Sequence, residues 1–348
     1  MTIPLIELKI ESIRDEAPGA RSFVLSRTDG KPLVYQAGQF LTFVFPHKLN
    51  DNRRSYSISS TPSLGEPLTI TVKRIDNGEF SRYLFDYCQE GSSLFTIGPA
   101  GFFVLPPVPR QVSSFVFYAA GSGITPILPL VKTLLYNYPD VSVWLIYSNH
   151  SVQNTIFLRE IRALEEQYPQ LRVEWLFSNN KNLLRARLTK QLVADQAHNE
   201  VDRRTSLFYL CGPHEYMQMI TITLLREGVS QEQIRKEIFD SIKTVVRDLP
   251  PDQSAHNVWV SYMGERFELR VQYPETILQA ARSRGILLPY SCDAGKCGTC
   301  AATCTKGEVW MSYNEVLLDK ELRAGRVLTC TGYPIHGDVE LVYPTPQG

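Results

Sequence analysis

The 348-residue chain has no surplus of either charge: Lys plus Arg number 36, Asp plus Glu number 36, and the formal net charge is zero. No basic run and no basic patch interleaved with aromatics breaks that balance, so nucleic acid is not an expected partner. There is also no polybasic or strongly amphipathic segment of the kind that holds a protein on a membrane surface. The first residues, Met1-Thr2-Ile3-Pro4-Leu5-Ile6-Glu7, lack a basic stretch followed by an apolar core and do not read as a secretory signal. One uncharged stretch, Ser113 to Val131, approaches the length a bilayer needs. Gly121, Gly123, Pro126 and Pro129 divide it into a strand, a glycine turn and a helix start. Internal repeats and low-complexity tracts are absent. The expectation is a soluble, cytoplasmic chain of two or three domains.

Cysteine is where the sequence becomes specific. Cys292, Cys297 and Cys300 read C-x4-C-x2-C, and Cys330 follows a long gap within Val327-Leu328-Thr329-Cys330-Thr331. That is the spacing of the four ligands of a plant-type 2Fe–2S cluster. Thiolates are soft ligands suited to iron–sulfur chemistry. Gly295 and Gly298 let the loop backbone close around the sulfides where a Cβ would collide. The flanks agree: Thr276 to Ala281 reads as a short helix, and Gly285 to Ser291 leads into the first cysteine. Zinc and a disulfide framework are the alternatives. Zinc sites favour paired C-x2-C units, and seven cysteines are an odd number for a disulfide framework. Cys88, Cys211 and Cys304 lie outside the pattern, and Cys304 reads as a structural thiol.

Three stretches differ in pattern. Residues 1–107 are strand-rich, with Leu5–Ile13, Arg21–Leu25, Phe40–Phe45 and Leu68–Arg74 separated by turn residues, which predicts a small antiparallel β-barrel. Residues 108–242 alternate: strands at Ser114–Tyr118, Val141–Tyr147, Arg172–Phe177 and Ser206–Leu210, helices at Ile127–Asn137, Phe157–Tyr168 and Tyr216–Glu227. Such alternation predicts an α/β domain with a parallel sheet covered on both faces. Residues 243–256, polar around Pro250-Pro251, read as a linker, and 257–348 as an α+β, β-grasp cluster domain.

Two further motifs point to bound cofactors. In Arg54-Ser55-Tyr56-Ser57, strand alternation predicts Arg54 and Tyr56 on one face and the serines on the other. A guanidinium can fork onto a phosphate while a phenol ring stacks on a planar heterocycle. Gly78-Glu79-Phe80-Ser81 reads as a turn into a helix whose N–H groups and Ser81 hydroxyl would receive a pyrophosphate. After the first strand of the α/β domain comes Gly121-Ser122-Gly123-Ile124-Thr125-Pro126, a glycine turn that brings backbone close to a ligand but is not G-x-G-x-x-G. Cys211-Gly212-Pro213 stands at the C-terminal end of another predicted strand, where open α/β sheets place ligands. Thr125 and Cys211 also suit plain core positions.

This ordered set resembles the ferredoxin–NADP reductase superfamily, and with the C-terminal plant-type ferredoxin domain the chain resembles the reductase components of bacterial oxygenases, toward the phenylacetyl-CoA epoxidase reductase type. The resemblance implies FAD, a 2Fe–2S cluster and NADPH or NADH, with electrons passing to an oxygenase partner. It implies Arg54, Tyr56 and Ser57 at the flavin, Val72 and Lys73 beside it, and Gly78 and Ser81 at its phosphates. Gly121, Gly123 and Thr125 would shape the nicotinamide pocket, and Cys211 and Gly212 would border the hydride path. Thr125, Cys211 and Tyr56 are therefore the candidate catalytic residues, and Cys292, Cys297, Cys300 and Cys330 the metal ligands. Ser178-Asn179-Asn180 stands where NADPH-using members often place Ser-Arg, leaving Arg187, with Lys181, to meet a 2′-phosphate. The balance tips toward NADPH. Alternative readings are a general ferredoxin or flavodoxin reductase, a reductase for a desaturase or hybrid-cluster protein, and a non-catalytic 2Fe–2S redox sensor.

Overall fold

The computed structural model describes residues 5–45, 53–182, 186–239 and 248–344. The N-terminal part contains β1 (Ile6–Ala17), β2 (Ala20–Arg27), β3 (Phe40–Val44), β4 (Arg53–Ser57), β5 (Thr69–Lys73), α1 (Glu79–Asp86) and β6 (Ser93–Ala100). The strands pair antiparallel in the order β4-β3-β6-β1-β2-β5. A bridge between Ile58 and Ile70 joins the two ends, so the sheet curls into the expected barrel. Inward-facing Leu8, Ile10, Phe23, Leu25, Leu41, Phe43 and Ile70 fill it.

The middle part runs β7 (Ser114–Ala120), α2 (Ile124–Asn137), β8 (Ser142–Asn149), α3 (Leu158–Gln167), β9 (Leu171–Phe177), α4 (Lys190–Asp195), β10 (Ser206–Cys211), α5 (His214–Arg226) and β11 (Ile234–Glu237). All its strands are parallel, in the order β11-β10-β7-β8-β9. Central β7 is apolar on both faces. Phe115, Phe117 and Ala119 meet α2 and α3, while Val116 and Tyr118 join the core beneath α5. The uncharged run from Ser113 is thus a buried strand, a turn and a helix start, and no helix among the described residues is long and apolar enough to cross a membrane. That helix starts at Ile124 rather than Ile127 because Pro126 falls in the first turn, where its missing N–H leaves no helical bond unmade.

The C-terminal part holds β12 (His256–Tyr262), β13 (Glu265–Val271), α6 (Ile277–Ser283), β14 (Ala301–Met311), α7 (Asp319–Arg323), β15 (Arg326–Leu328) and β16 (Gly332–Val342). The sheet is mixed, in the order β13-β12-β16-β14-β15, with β12 and β16 parallel. Helix α6 opens on a Thr276–Gln279 capping box and buries Ile277, Leu278, Ala280 and Ala281 against the sheet. Part of the expected linker is fixed to this domain: the Asp252 carboxylate accepts from His256 Nε2 at 2.7 Å and from the His336 backbone N–H at 2.9 Å. Residues 240–247 lie outside the described residues.

The barrel and the α/β domain share an apolar core, into which the barrel side sends Ala20 and Phe103. Tyr209 Oη donates to Val104 O at 2.8 Å, and Lys132 of α2 is clamped between Glu66 and Glu160. Strands β6 and β11 and helix α4 carry no clear period in the sequence: β6 ends Gly-Pro-Ala and β11 is Ile-Arg-Lys-Glu. Pairing with formed neighbours, not propensity, makes the two strands, and α4 starts on its Thr189 cap, whose hydroxyl accepts from Leu192 N–H at 3.2 Å.

Candidate active site

In the α/β sheet, chain order reverses between β7 and β10, and the loops leaving their C-terminal ends diverge to leave a crevice. Gly121 and Gly123 occupy the turn out of β7. A Cβ on Gly123 would stand 2.0 Å from Cys211 O, so only glycine lets the two strand ends meet this closely. Thr125 is 2 % exposed, and its hydroxyl donates to Ser122 O at 2.9 Å, which fixes the turn.

This crevice is one end of a cleft of about 1270 Å³ bounded by all three parts of the chain. From the barrel come Arg54, Tyr56, Ser57, Val72 and Lys73; from the α/β domain come Gly121, Gly123, Thr125, Arg187 and Gly212; from the cluster domain come Cys292 and Cys297. Residues separated by up to 243 positions are thereby brought to one cavity. β4 ends the strand order, next to the bridge that closes the barrel, and Arg54, Ser55, Tyr56 and Ser57 all border the cleft. Ser57 Oγ is buried with no protein partner, an orphaned polar atom that a ligand must satisfy. Burial drives the Tyr56 phenol well above its ordinary range, and only the Arg54 charge opposes it, so Tyr56 remains a neutral donor.

Other expected residues are placed differently. Cys211 is fully buried and does not border the cleft; burial, with the Glu237 carboxyl beside it, pushes its thiol far up. Gly78 and Ser81 also stay off the cleft wall. Ser81 Oγ accepts from Ile75 N–H at 3.1 Å and donates to Gly78 O at 3.1 Å, so it holds its own turn closed, where the motif alone suggests a free hydroxyl. Lys181 does not border the cleft.

Several wall residues were not anticipated. Glu237, at the end of β11 and in register with Cys211, is 9 % exposed, and burial pushes its carboxyl up to about 8. Phe239 follows it onto the wall. Tyr216 donates to Ala119 O at 3.3 Å across the crevice. His150 Nδ1 and Ser178 Oγ lie 3.0 Å apart at the ends of β8 and β9, near Arg187 on the same wall. Arg53 and Tyr290 also escaped the sequence reading; their signal was a lone cation and a lone aromatic, each ambiguous alone.

The four cluster cysteines converge from the 292–300 loop and from Cys330 before β16. They form two pairs: Cys300 and Cys330 with sulfurs 3.2 Å apart, and Cys292 with Cys297. A binuclear cluster needs this two-plus-two division. The Cys297 thiol and the N–H groups of Lys296 and Ala294 hold the Cys292 thiol down at about 6, toward the thiolate that iron binds. Gly295 and Gly298 both sit at φ +74°, where a side chain would strain the loop.

Comparison with known proteins agrees with this division of the chain. An oxidoreductase FAD-binding domain matches residues 8–105, an oxidoreductase NAD-binding domain 117–221, and a 2Fe-2S iron-sulfur cluster binding domain 260–334. The ferredoxin reductase component of 3-ketosteroid-9-alpha-monooxygenase from Mycolicibacterium smegmatis is 31 % identical, with 97 % of each chain covered. The chain belongs to the family of oxygenase reductase components. A subunit of 1,2-phenylacetyl-CoA epoxidase from Escherichia coli is 32 % identical to the reductase over 88 % of this chain and 87 % of that one. Phthalate dioxygenase reductase shares the three-domain fold, with a TM-score of 0.60, 24 % identity and coverage of 97 % and 98 %. The reductase thus carries FAD-, NAD- and 2Fe–2S-binding domains and passes electrons from NAD(P)H to an oxygenase.

Proposed function

We propose that the shared cleft is where NAD(P)H meets the flavin and where the cluster collects electrons. The observation that carries this is the common wall: Tyr56 of the barrel, Gly121 of the α/β domain and Cys292 of the cluster domain line one cavity. A bound flavin supplies the conversion of a two-electron hydride into single electrons. Arg54 pairs with the flavin phosphates, Tyr56 and Ser57 hold its ring system, and Val72 and Lys73 border it. The turn at Gly121 and Gly123, fixed by Thr125, leaves a side-chain-free slot for the nicotinamide over the flavin. Gly212 forms the slot's opposite lip, and Cys211 backs Gly123. Glu237 holds a proton at neutral pH on the wall of the same cavity. The backbone N–H groups at the start of α1, after Gly78, take the FAD pyrophosphate, with Ser81 fixing the turn from behind.

Arg187, His150 and Ser178 take the 2′-phosphate, and NADPH is the preferred donor. The acceptor is an oxygenase component of the kind served by the ketosteroid and phenylacetyl-CoA relatives. None of the seven cysteines is in a disulfide, which suits a reducing compartment, and we place the reductase in the cytoplasm.

Anaerobic addition of NADPH, then NADH, to the flavin- and cluster-loaded protein tests the reading. Flavin and cluster absorbance should bleach together, faster with NADPH. A flavin band untouched by either nucleotide refutes it.

A further inference from the structure

A strip of hydroxyls runs along the outside of the barrel wall. Alternation along β2 and β5 sends Phe23 and Ile70 into the barrel and turns Ser22 and Thr71, which pair in register, outward. Ser59, one residue past the Ile58–Ile70 bridge, joins them. Ser22, Thr71 and Ser59 are buried all the same, at 0 %, 4 % and 7 % exposure. Thr71 Oγ1 lies 2.7 Å from Ser22 Oγ and 2.8 Å from Ser59 Oγ, and Ser22 Oγ donates to Glu16 Oε1 at 2.6 Å. All three separations are those of well-made O–H···O bonds.

The two ends of the strip differ. Thr71 borders the cleft, and the Ile58–Ile70 bridge sets it beside Ser57, whose hydroxyl has no protein partner. At the other end the Glu16 side chain is 17 % exposed and lies 3.9 Å from Arg14, itself 65 % exposed. Glu16 is the extra residue of a bulge: Asp15 pairs with Arg21 and Ala17 with Ala20. Bulges re-aim side chains, and this one brings a carboxylate of β1 onto Ser22. A backbone carbonyl is enough to satisfy a buried hydroxyl, as Thr42 O does for Thr96. This strip ends instead on a titratable group that reaches the surface. Its direction follows from hydrogen counting. A carboxylate only accepts, and each hydroxyl has one hydrogen to give. Ser22 gives its hydrogen to Glu16, so it accepts from Thr71; Thr71 in turn accepts from Ser59. From the cleft to the surface, every hydrogen points outward.

Resting on the reductase reading above, we propose that Thr71, Ser22 and Glu16 form a proton exit from the cleft. Conversion of NAD(P)H to NAD(P)⁺ yields two electrons and one proton. The electrons leave singly through the cluster to the acceptor, whereas the proton is left in a cavity walled by all three parts of the chain. To leave, it bonds to Thr71 Oγ1 while the Thr71 hydrogen passes to Ser22 Oγ and the Ser22 hydrogen to Glu16 Oε1. At each hydroxyl one O–H bond forms and one breaks, and Glu16 hands the proton it has gained to water. The two hydroxyls then rotate back for the next turnover.

The loaded protein is first reduced anaerobically with NAD(P)H and then mixed with ferricyanide, two of which take the two electrons and leave the proton to depart. Hydride delivery needs no proton exit. Ser22→Ala and Glu16→Ala should therefore bleach the flavin at the wild-type rate, which also shows that they are folded. Reoxidation by ferricyanide should slow by about fivefold or more in both variants, and further in deuterium oxide, because proton exit becomes the slow step. Imidazole, a proton acceptor that fits the space left by the Glu16 side chain, should restore Glu16→Ala but not Ser22→Ala, whose break is buried. Hydroxyls that only hold the strands together would respond to neither deuterium nor imidazole. Glu16→Ala, altered near the surface, decides by itself where the Ser22 variant fails to fold. Reoxidation at the wild-type rate, slow reoxidation without a solvent isotope effect, or a Glu16→Ala protein that imidazole does not restore overturns the proposal. A wild-type flavin that never bleaches overturns instead the reductase reading on which it rests.

Discussion

Replacing Glu237 by glutamine keeps its shape and removes one titrating group from the cleft. In the native chain burial lifts this carboxyl from its ordinary 4.5 to about 8. Between those values the folded protein keeps a proton that the unfolded chain releases. Its contribution to stability is therefore full below about pH 4.5 and lost as pH rises through about 8. Each pH unit between the two values is worth about 1.4 kcal/mol, so the whole effect is about 5 kcal/mol. Glutamine has no such slope. Urea unfolding can be followed by tryptophan fluorescence in a Trp259→Phe, Trp310→Phe background, which leaves Trp144 and Trp175 reporting from the parallel sheet. Subtracting wild type from Glu237→Gln cancels every other titration. The difference should favour the variant by about 1.4 kcal/mol more with each pH step of one from about 6 to 7.5, then level off above about 8.5. Parallel curves across that range would refute the argument and mean that Glu237 is ionised at neutral pH.

Other consequences are as direct. Cys330→Ser, at a fully buried ligand, should abolish the cluster absorbance while leaving flavin bound and reducible, read from the visible spectrum. Gly123→Ala places a methyl 2.0 Å from Cys211 O and must part the ends of β7 and β10. It should destabilise by about 1–3 kcal/mol and slow flavin reduction by about tenfold or more in stopped flow. Lys132→Met leaves Glu66 and Glu160 facing each other without their cation; because Glu160 is 41 % exposed, the loss should be about 1–2 kcal/mol rather than the full value for a buried pair, measured by urea unfolding. Arg187→Ala should raise KM for NADPH about fivefold or more and leave KM for NADH unchanged; equal effects on both would remove Arg187 from the phosphate site.

Features carried by short spacing were legible in the sequence. C-x4-C-x2-C lies in one loop, and the glycine turn adjoins an apolar strand, so neighbouring residues define both. The barrel and parallel-sheet assignments followed from periodicity in the same way. What escaped depends on distant parts of the chain. Nothing near Arg53 announces that Tyr290, 237 positions on, will lie beneath it. Glu237 looks like a surface residue of a charged tetrapeptide until β10 buries it. Ser81 differs in another way: its hydroxyl has local partners at Ile75 and Gly78. Sequence type shows that a group can bind a ligand, whereas only geometry shows whether it is already engaged.

Phe102 and Phe103 are adjacent in the chain yet belong to different neighbours: Phe103 enters the core shared with the α/β domain, and Phe102 packs on the cluster domain. The line between the two interfaces therefore passes through a single peptide unit. A cluster domain borrowed from another protein would meet that boundary as a fixed template. To seat, it must offer a residue without a side chain opposite Phe102, as Gly298 does here, and a carbonyl within reach of Arg53. A donor with alanine or anything larger at that point would strain its own loop and meet the Phe102 ring.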